Sequence, residues 1–184
     1  MKPGMKISIL LVSAILLWGG IFCLMSWANN PKVKAQEVAR KSLLALVPNP
    51  GSIKVRAISE ADSVFDREYI SAEEKIAISM AMMKVNERVM KATDDFEHLD
   101  MADKDLSALM ERQMSAMSAL RPLMSYESLA PHKSSPVKNE LSGWKVKIEY
   151  EALSEGGKPY RSEYWFILDK DAQCVVKSFE IPLV

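Results

Sequence analysis

From Ile7 to Ala28 the chain reads ISILLVSAILLWGGIFCLMSWA, without one charged side chain. Beyond Pro31 the pattern turns periodic. Ala35, Val38, Ala39, Leu43, Leu46 and Val47 recur at helical spacing, with Lys34, Glu37, Arg40 and Lys41 largely off the stripe. This predicts an amphipathic helix over Val33–Val47. Pro48-Asn49-Pro50-Gly51 ends it, since proline lacks a donor and glycine permits positive φ. Ile53, Val55 and Ala57 then alternate with Lys54 and Arg56, so Ser52–Ile58 reads as a short strand.

Ser71-Ala72-Glu73-Glu74 has the spacing of a capping box, in which hydroxyl and carboxylate satisfy each other's backbone amides. The helix it opens carries Ile76, Met80, Met83, Val85, Val89 and Met90 and runs to about Ala92. A second helix starts near Asp100, carries Leu106, Leu109, Met110, Met114, Met117 and Leu120, and stops at Pro122. The short acidic connection between them predicts an antiparallel helical pair over residues 71–121. Tyr126–Leu141, with Pro131 and Pro136, reads as a loop.

The period then drops to two. Trp144, Val146, Ile148, Tyr150 and Ala152 alternate with Lys145, Lys147, Glu149 and Glu151. A Gly156-Gly157 hairpin, a strand over Tyr160–Leu168, a turn at Asp169-Lys170-Asp171 and a strand over Cys174–Ile181 complete a β-meander over residues 143–181. Cys174, at the start of that last strand, reads as a buried inert thiol.

The fold class expected is α+β: helices packed on one face of a curved antiparallel sheet, with the helical pair as an insertion. By topology alone this layout, over residues 33–181, resembles the cystatin-like and NTF2-like folds. No motif accompanies the resemblance, and a shared scaffold carries no activity across.

At 1.5 Å per residue the apolar run spans about 33 Å, the thickness of a bilayer core. Lys2 and Lys6 precede it, which favours a cytoplasmic N-terminus, although Lys32, Lys34, Arg40 and Lys41 make the far flank basic too. Ser26 and Ala28 are small enough for a peptidase to cut after Ala28, but the run is longer than the apolar core of a secretory signal. The expected organisation is a cytoplasmic leader (1–6), a transmembrane signal-anchor (7–28) and a linker (29–32). An extracytoplasmic domain (33–184), periplasmic in a Gram-negative cell, follows. Residues 7–28 would then have the lipid bilayer as their partner.

Charge narrows the function classes. The 184 residues carry 24 Lys+Arg and 24 Asp+Glu, so the chain lacks the basic footprint of a nucleic-acid binder. The balance is uneven along its length: residues 31–58 hold six bases against Glu37, and residues 60–111 hold fourteen acids against six bases. The bland reading is solvated helix faces with acids favoured at helix starts; the sharper one sets a basic base toward anionic headgroups and acidic helices toward a partner.

Candidate chemistry is thin. Among the acids from Asp94 to Asp105, Asp103-Lys104-Asp105 lacks the glycine of a calcium loop. His98 and His132 are the only histidines and stand in no zinc spacing, and no nucleophile elbow, phosphate loop or dinucleotide motif occurs. No catalytic residue, metal ligand or cofactor is therefore assigned. Methionine is the unusual count: twelve in all, nine between Met80 and Met124. Thioethers at helical spacing can hold Cu(I), or serve as flexible core filler or an adaptable docking surface. The function expected is a non-catalytic interaction module of an envelope assembly, binding a protein partner or its own copy. The expected surface is Met110, Met114 and Met117 with Trp165 and Ile167. A small-ligand or copper carrier and a small envelope hydrolase are the alternatives.

Overall fold

The structure, a computed structural model, describes residues 30–66, 68–94, 104–124, 140–154 and 156–183. In chain order these form α1 (Pro31–Leu46), β1 (Lys54–Ile58), β2 (Asp62–Phe65), α2 (Ala72–Asp94), α3 (Lys104–Met124), β3 (Leu141–Leu153), β4 (Pro159–Asp169) and β5 (Val175–Leu183). The class is α+β, with three helices packed on a five-stranded antiparallel sheet.

β3 is the strand to which the others are fastened. One edge pairs with β4 from Gly143↔Asp169 to Leu153↔Pro159, and β4 pairs with β5 beyond it. The other edge is shared by two short strands in tandem: β1 along the second half of β3, from Lys54↔Glu151 to Ile58↔Ile148, and β2 along the first half, from Asp62↔Lys145 to Phe65↔Leu141. Ser59 bridges the gap between them. Its amide donates to the Lys147 carbonyl (2.9 Å) and its hydroxyl accepts the Lys147 amide (2.9 Å), which keeps the ladder satisfied where the chain bends.

The two faces of the sheet bury different helices, which corrects the expected one-face layout. On one face Ala35, Ala39 and Leu43 of α1 pack against Val146, Ile148, Tyr150, Phe166 and Leu168. The two alanines let the helix backbone approach the sheet closely. On the other face Ile78 of α2 with Leu120 and Leu123 of α3 cover Trp165, Ile167, Phe179 and Ile181. The cause lies in β4: Tyr164-Trp165-Phe166-Ile167-Leu168 is apolar on both sides, and a strand of that kind needs a cover on each. A single helical layer would leave half of it in water.

Local chemistry fixes the element ends. Asn30 caps α1, its Oδ1 accepting the Lys32 amide at 3.0 Å, with Pro31 at the first helical position. The capping box is present as its spacing predicts: Glu74 Oε2 accepts the Ser71 amide (2.9 Å) and Ser71 Oγ accepts the Glu74 amide (3.2 Å). Pro122 does not end α3, which continues to Met124; in a last turn its missing donor removes little. Cys174 lies in the turn before β5 and is exposed, not buried. Local desolvation and the Asp169 carboxylate push its thiol pKa up, away from reactivity.

Among the described residues no helix is long and apolar enough to cross a membrane. The expected anchor at 7–28 and most of the expected loop at 126–141 lie outside the described residues.

Gly143 sits where the sheet leaves no room for a side chain. A Cβ there would stand 2.0 Å from the Leu168 carbonyl oxygen, a backbone atom with no room to yield. Gly143→Ala should cost about 1–3 kcal/mol of unfolding free energy. Gly51→Ala, whose nearest neighbour would be Asn49 Oδ1 at 3.9 Å, should stay within about 0.5 kcal/mol. Urea unfolding followed by tryptophan fluorescence measures both.

Candidate functional site

The start of α2 is tied to the sheet by one carboxylate. Glu74, already engaged in the capping box, accepts Lys145 Nζ at 2.6 Å and Lys147 Nζ at 3.2 Å from β3. Lys145 is only 8% exposed, a strand residue that alternation alone would place in solvent. Lys147 Nζ, half-buried, also lies 4.8 Å from the centroid of the Trp165 ring and Lys145 Nζ 5.8 Å, so the two cations meet both a carboxylate and a π face. Burial alone would raise the Glu74 pKa; hydrogen bonds from Lys145, the Ser71 amide and Lys147 outweigh it and hold the carboxyl below its ordinary 4.5.

α2 and α3 run antiparallel: Ile78 meets Leu120 and Leu123 in one core cluster, while Gln113 Nε2 donates to Asn86 Oδ1 at 3.5 Å further along. Each helix turns out to be apolar on two faces. Ile78, Val85 and Val89 of α2 and Ala116, Leu120 and Leu123 of α3 are buried. Ile76, Met80, Met83 and Met90 of α2 and Met110, Met114 and Met117 of α3 are not; the six methionines are 42% to 72% exposed. The outer residues follow four-and-three spacing, so each set forms a straight stripe along its helix. Asn86 and Gln113 join across the pair within these stripes, and Asn86 Nδ2 also donates to Met90 Sδ at 3.6 Å. The result is a thioether-lined face centred on a polar latch.

Of the five residues expected to form a contact surface, the structure therefore exposes three. Met110, Met114 and Met117 face outward on α3, whereas Trp165 is 3% and Ile167 0% exposed beneath the same helices. Trp165 stacks on Phe179 with ring centroids 5.5 Å apart, as core and not as surface. From sequence the stripe Ile76–Met80–Met83–Met90 reads as an apolar helix face open to core packing or to docking; its outward direction follows from the burial of the Ile78–Val85–Val89 side. Among the described residues no three His, Cys, Asp or Glu side chains converge as metal ligands. His98, His132 and the acids from Asp95 to Asp103 lie outside the described residues.

A second feature was not read from the sequence. Where α3 begins, beside the β3–β4 hairpin, lies a cleft of about 440 Å³. Arg88 of α2, Arg112 of α3, Lys158 and Tyr160 line it, together with Leu109 and Pro182. Arg112 lies over Tyr160, its Cζ 3.7 Å from the ring centroid, and its Nε is buried without an acceptor among the described residues. Such an orphaned donor costs about 1–3 kcal/mol. Asp105 accepts from the Ser154 hydroxyl and pairs with Lys158 at 2.9 Å, fastening the start of α3 to the hairpin. A chain-separated set of this kind, drawn from four elements, leaves no periodic trace in sequence.

Neither known protein-family models, nor curated proteins, nor solved structures match this chain. The functional reading rests on the geometry alone.

Glu74 gives a test of the docking of the pair. A carboxyl whose folded pKa is depressed contributes stability that is complete above its unfolded value near 4.5 and is lost as pH falls through the lower folded value. Glu74→Gln should lower stability at neutral pH by about 3 kcal/mol, because Lys145 is left buried without its charge partner. The variant should also show a flatter acid limb than the parent in urea midpoints measured between pH 3 and 7.

Proposed function

We propose that this chain is a membrane-anchored, non-catalytic interaction module that receives an apolar-sided helix of a protein partner on the outer face of α2–α3. The observation that carries the reading is the row of six exposed methionines. Soluble surfaces rarely present a contiguous apolar patch of this kind unless it is used for contact. Unbranched thioether side chains adapt to a partner's shape without a fixed rotamer. Two stripes at four-and-three spacing, side by side on an antiparallel pair, match the i, i+3, i+4, i+7 anchors by which a helix seats in a groove. The polar latch Asn86–Gln113 would then set the register of the incoming helix, as a single buried polar pair does in a coiled coil.

In this reading residues 7–28 hold the module at the cell membrane with residues 33–184 on the extracytoplasmic side. The basic stretch around α1 supports placement near anionic headgroups, and the acidic helical pair supports a location further out. A role as one component of an envelope assembly follows from an anchored domain whose feature of note is a contact face.

Photocrosslinking in native membranes tests this. A benzophenone amino acid at position 114 should yield one adduct of defined mass, and one at exposed position 41 on α1 should not. Met83→Glu, at a position 72% exposed, should abolish the adduct while changing stability by no more than about 0.5 kcal/mol. An adduct with the mass of two copies would identify a second copy as occupant. Absence of any adduct at 114 would refute the reading.

A further inference from the structure

The geometry points to the cleft at the start of α3 as a binding site for a small organic anion, a carboxylate or phosphate group carried on an apolar body. The proposal concerns a different surface from the methionine face and stands apart from it. Elsewhere in the fold the cations withdrawn from water meet a carboxylate: Lys145 and Lys147 share Glu74. At the cleft the bookkeeping differs. Asp105 is engaged by Ser154 and Lys158, Glu151 by Arg56 at 2.6 Å and the lining Arg161 by Glu149, while Arg88 and Arg112 make no contact ion pair among the described residues, Arg112 adding only its charge to the field that lowers the Asp105 pKa. Two guanidinium groups from two helices thus stand beside one concave surface without a carboxylate in contact with them.

Arg112 is also positioned in advance. Its guanidinium rests on Tyr160 at 3.7 Å, Tyr160 is braced edge-on by Tyr150 with centroids 6.1 Å apart, and the Tyr150 hydroxyl donates to Glu180 at 2.8 Å. A cation fixed through three layers of contacts loses little freedom when an anion arrives. Guanidinium presents a planar fork of donors that suits the two oxygens of a carboxylate or phosphate. Leu109, Pro159, Pro182 and Leu183 supply an apolar lining for the rest of the ligand, and about 440 Å³ is the size of a small-molecule site.

The test titrates phenyl phosphate, benzoate and neutral benzyl alcohol into the purified full chain in non-ionic detergent, read by ligand-observed NMR. At least one of the two anions should bind with a Kd below about 1 mM, and benzyl alcohol should bind at least tenfold more weakly. Arg112→Gln and Arg88→Gln should each weaken the anion about tenfold. Lys91→Gln, which removes only the exposed pair with Glu87, should change nothing. Arg88 is exposed, so its variant keeps the test decisive if Arg112→Gln fails to fold. Equal binding by parent and the double variant, equal binding of benzyl alcohol, or no response to either anion at about 10 mM would each overturn the proposal.

Discussion

A strand that is apolar on both sides sets the terms for everything around it. β4 places Phe166 and Leu168 on one face of the sheet and Trp165 and Ile167 on the other, all nearly or fully withdrawn from water. Each face then demands a helical layer. The first is supplied by α1, whose small residues let it lie close. The second takes two helices, because the Trp165–Phe179 face also extends over β5. Once α2 and α3 have spent one side each on the sheet, whatever apolar side chains they carry elsewhere must face outward. The methionine stripes are thus a result of how the sheet is covered as much as of their own spacing.

Electrostatics decides where the second layer sits. Two lysines on β3 point into the space between sheet and α2, where a bare ammonium would be costly. Glu74 answers both of them while also closing the first turn of its own helix, so the start of α2 and its position over β3 are set by the same carboxylate. At the opposite end of the layer Asp105 does a comparable job, tying the first turn of α3 to the β3–β4 hairpin through Ser154 and Lys158. The helical pair is pinned at both ends by acids in first helical turns. The uneven acidity of residues 60–111 is therefore partly structural, although among the described residues Glu60, Asp62, Asp66, Glu68, Glu73, Glu87 and Glu111 stay exposed.

Much of this was legible in the sequence where a local rule governs. The capping box at Ser71, the period-two meander and the proline-glycine break after α1 each follow from neighbouring residues, and each appears where expected. β2 was not legible: Asp62-Ser63-Val64-Phe65 is too short to show a period, and it becomes a strand only because β3 offers an edge. Lys145 misled for a related reason. Alternation says which face a residue takes but not whether a helix will cover that face, so a lysine opposite a core valine reads as solvated when it is buried. The methionines were singled out correctly as unusual, but assigning them to inside or outside required knowing which helical side the sheet would claim. The Arg112–Tyr160 cleft, assembled from distant parts of the chain, had no local signature at all.

The sheet has one further property, visible in its margins. On one side β1 and β2 are short pieces separated by a bend, each with an irregular register, at Val55/Ala57 and at Val64/Phe65. On the other side β5 carries Pro182, which has no amide to offer, and its pairing slips at Ile167/Leu168. Interrupted and proline-bearing borders of this sort are poor templates for a foreign strand. An open β-edge invites edge-to-edge stacking between copies of a chain. Here the broken borders disfavour strand addition, which points recognition toward the helices and loops.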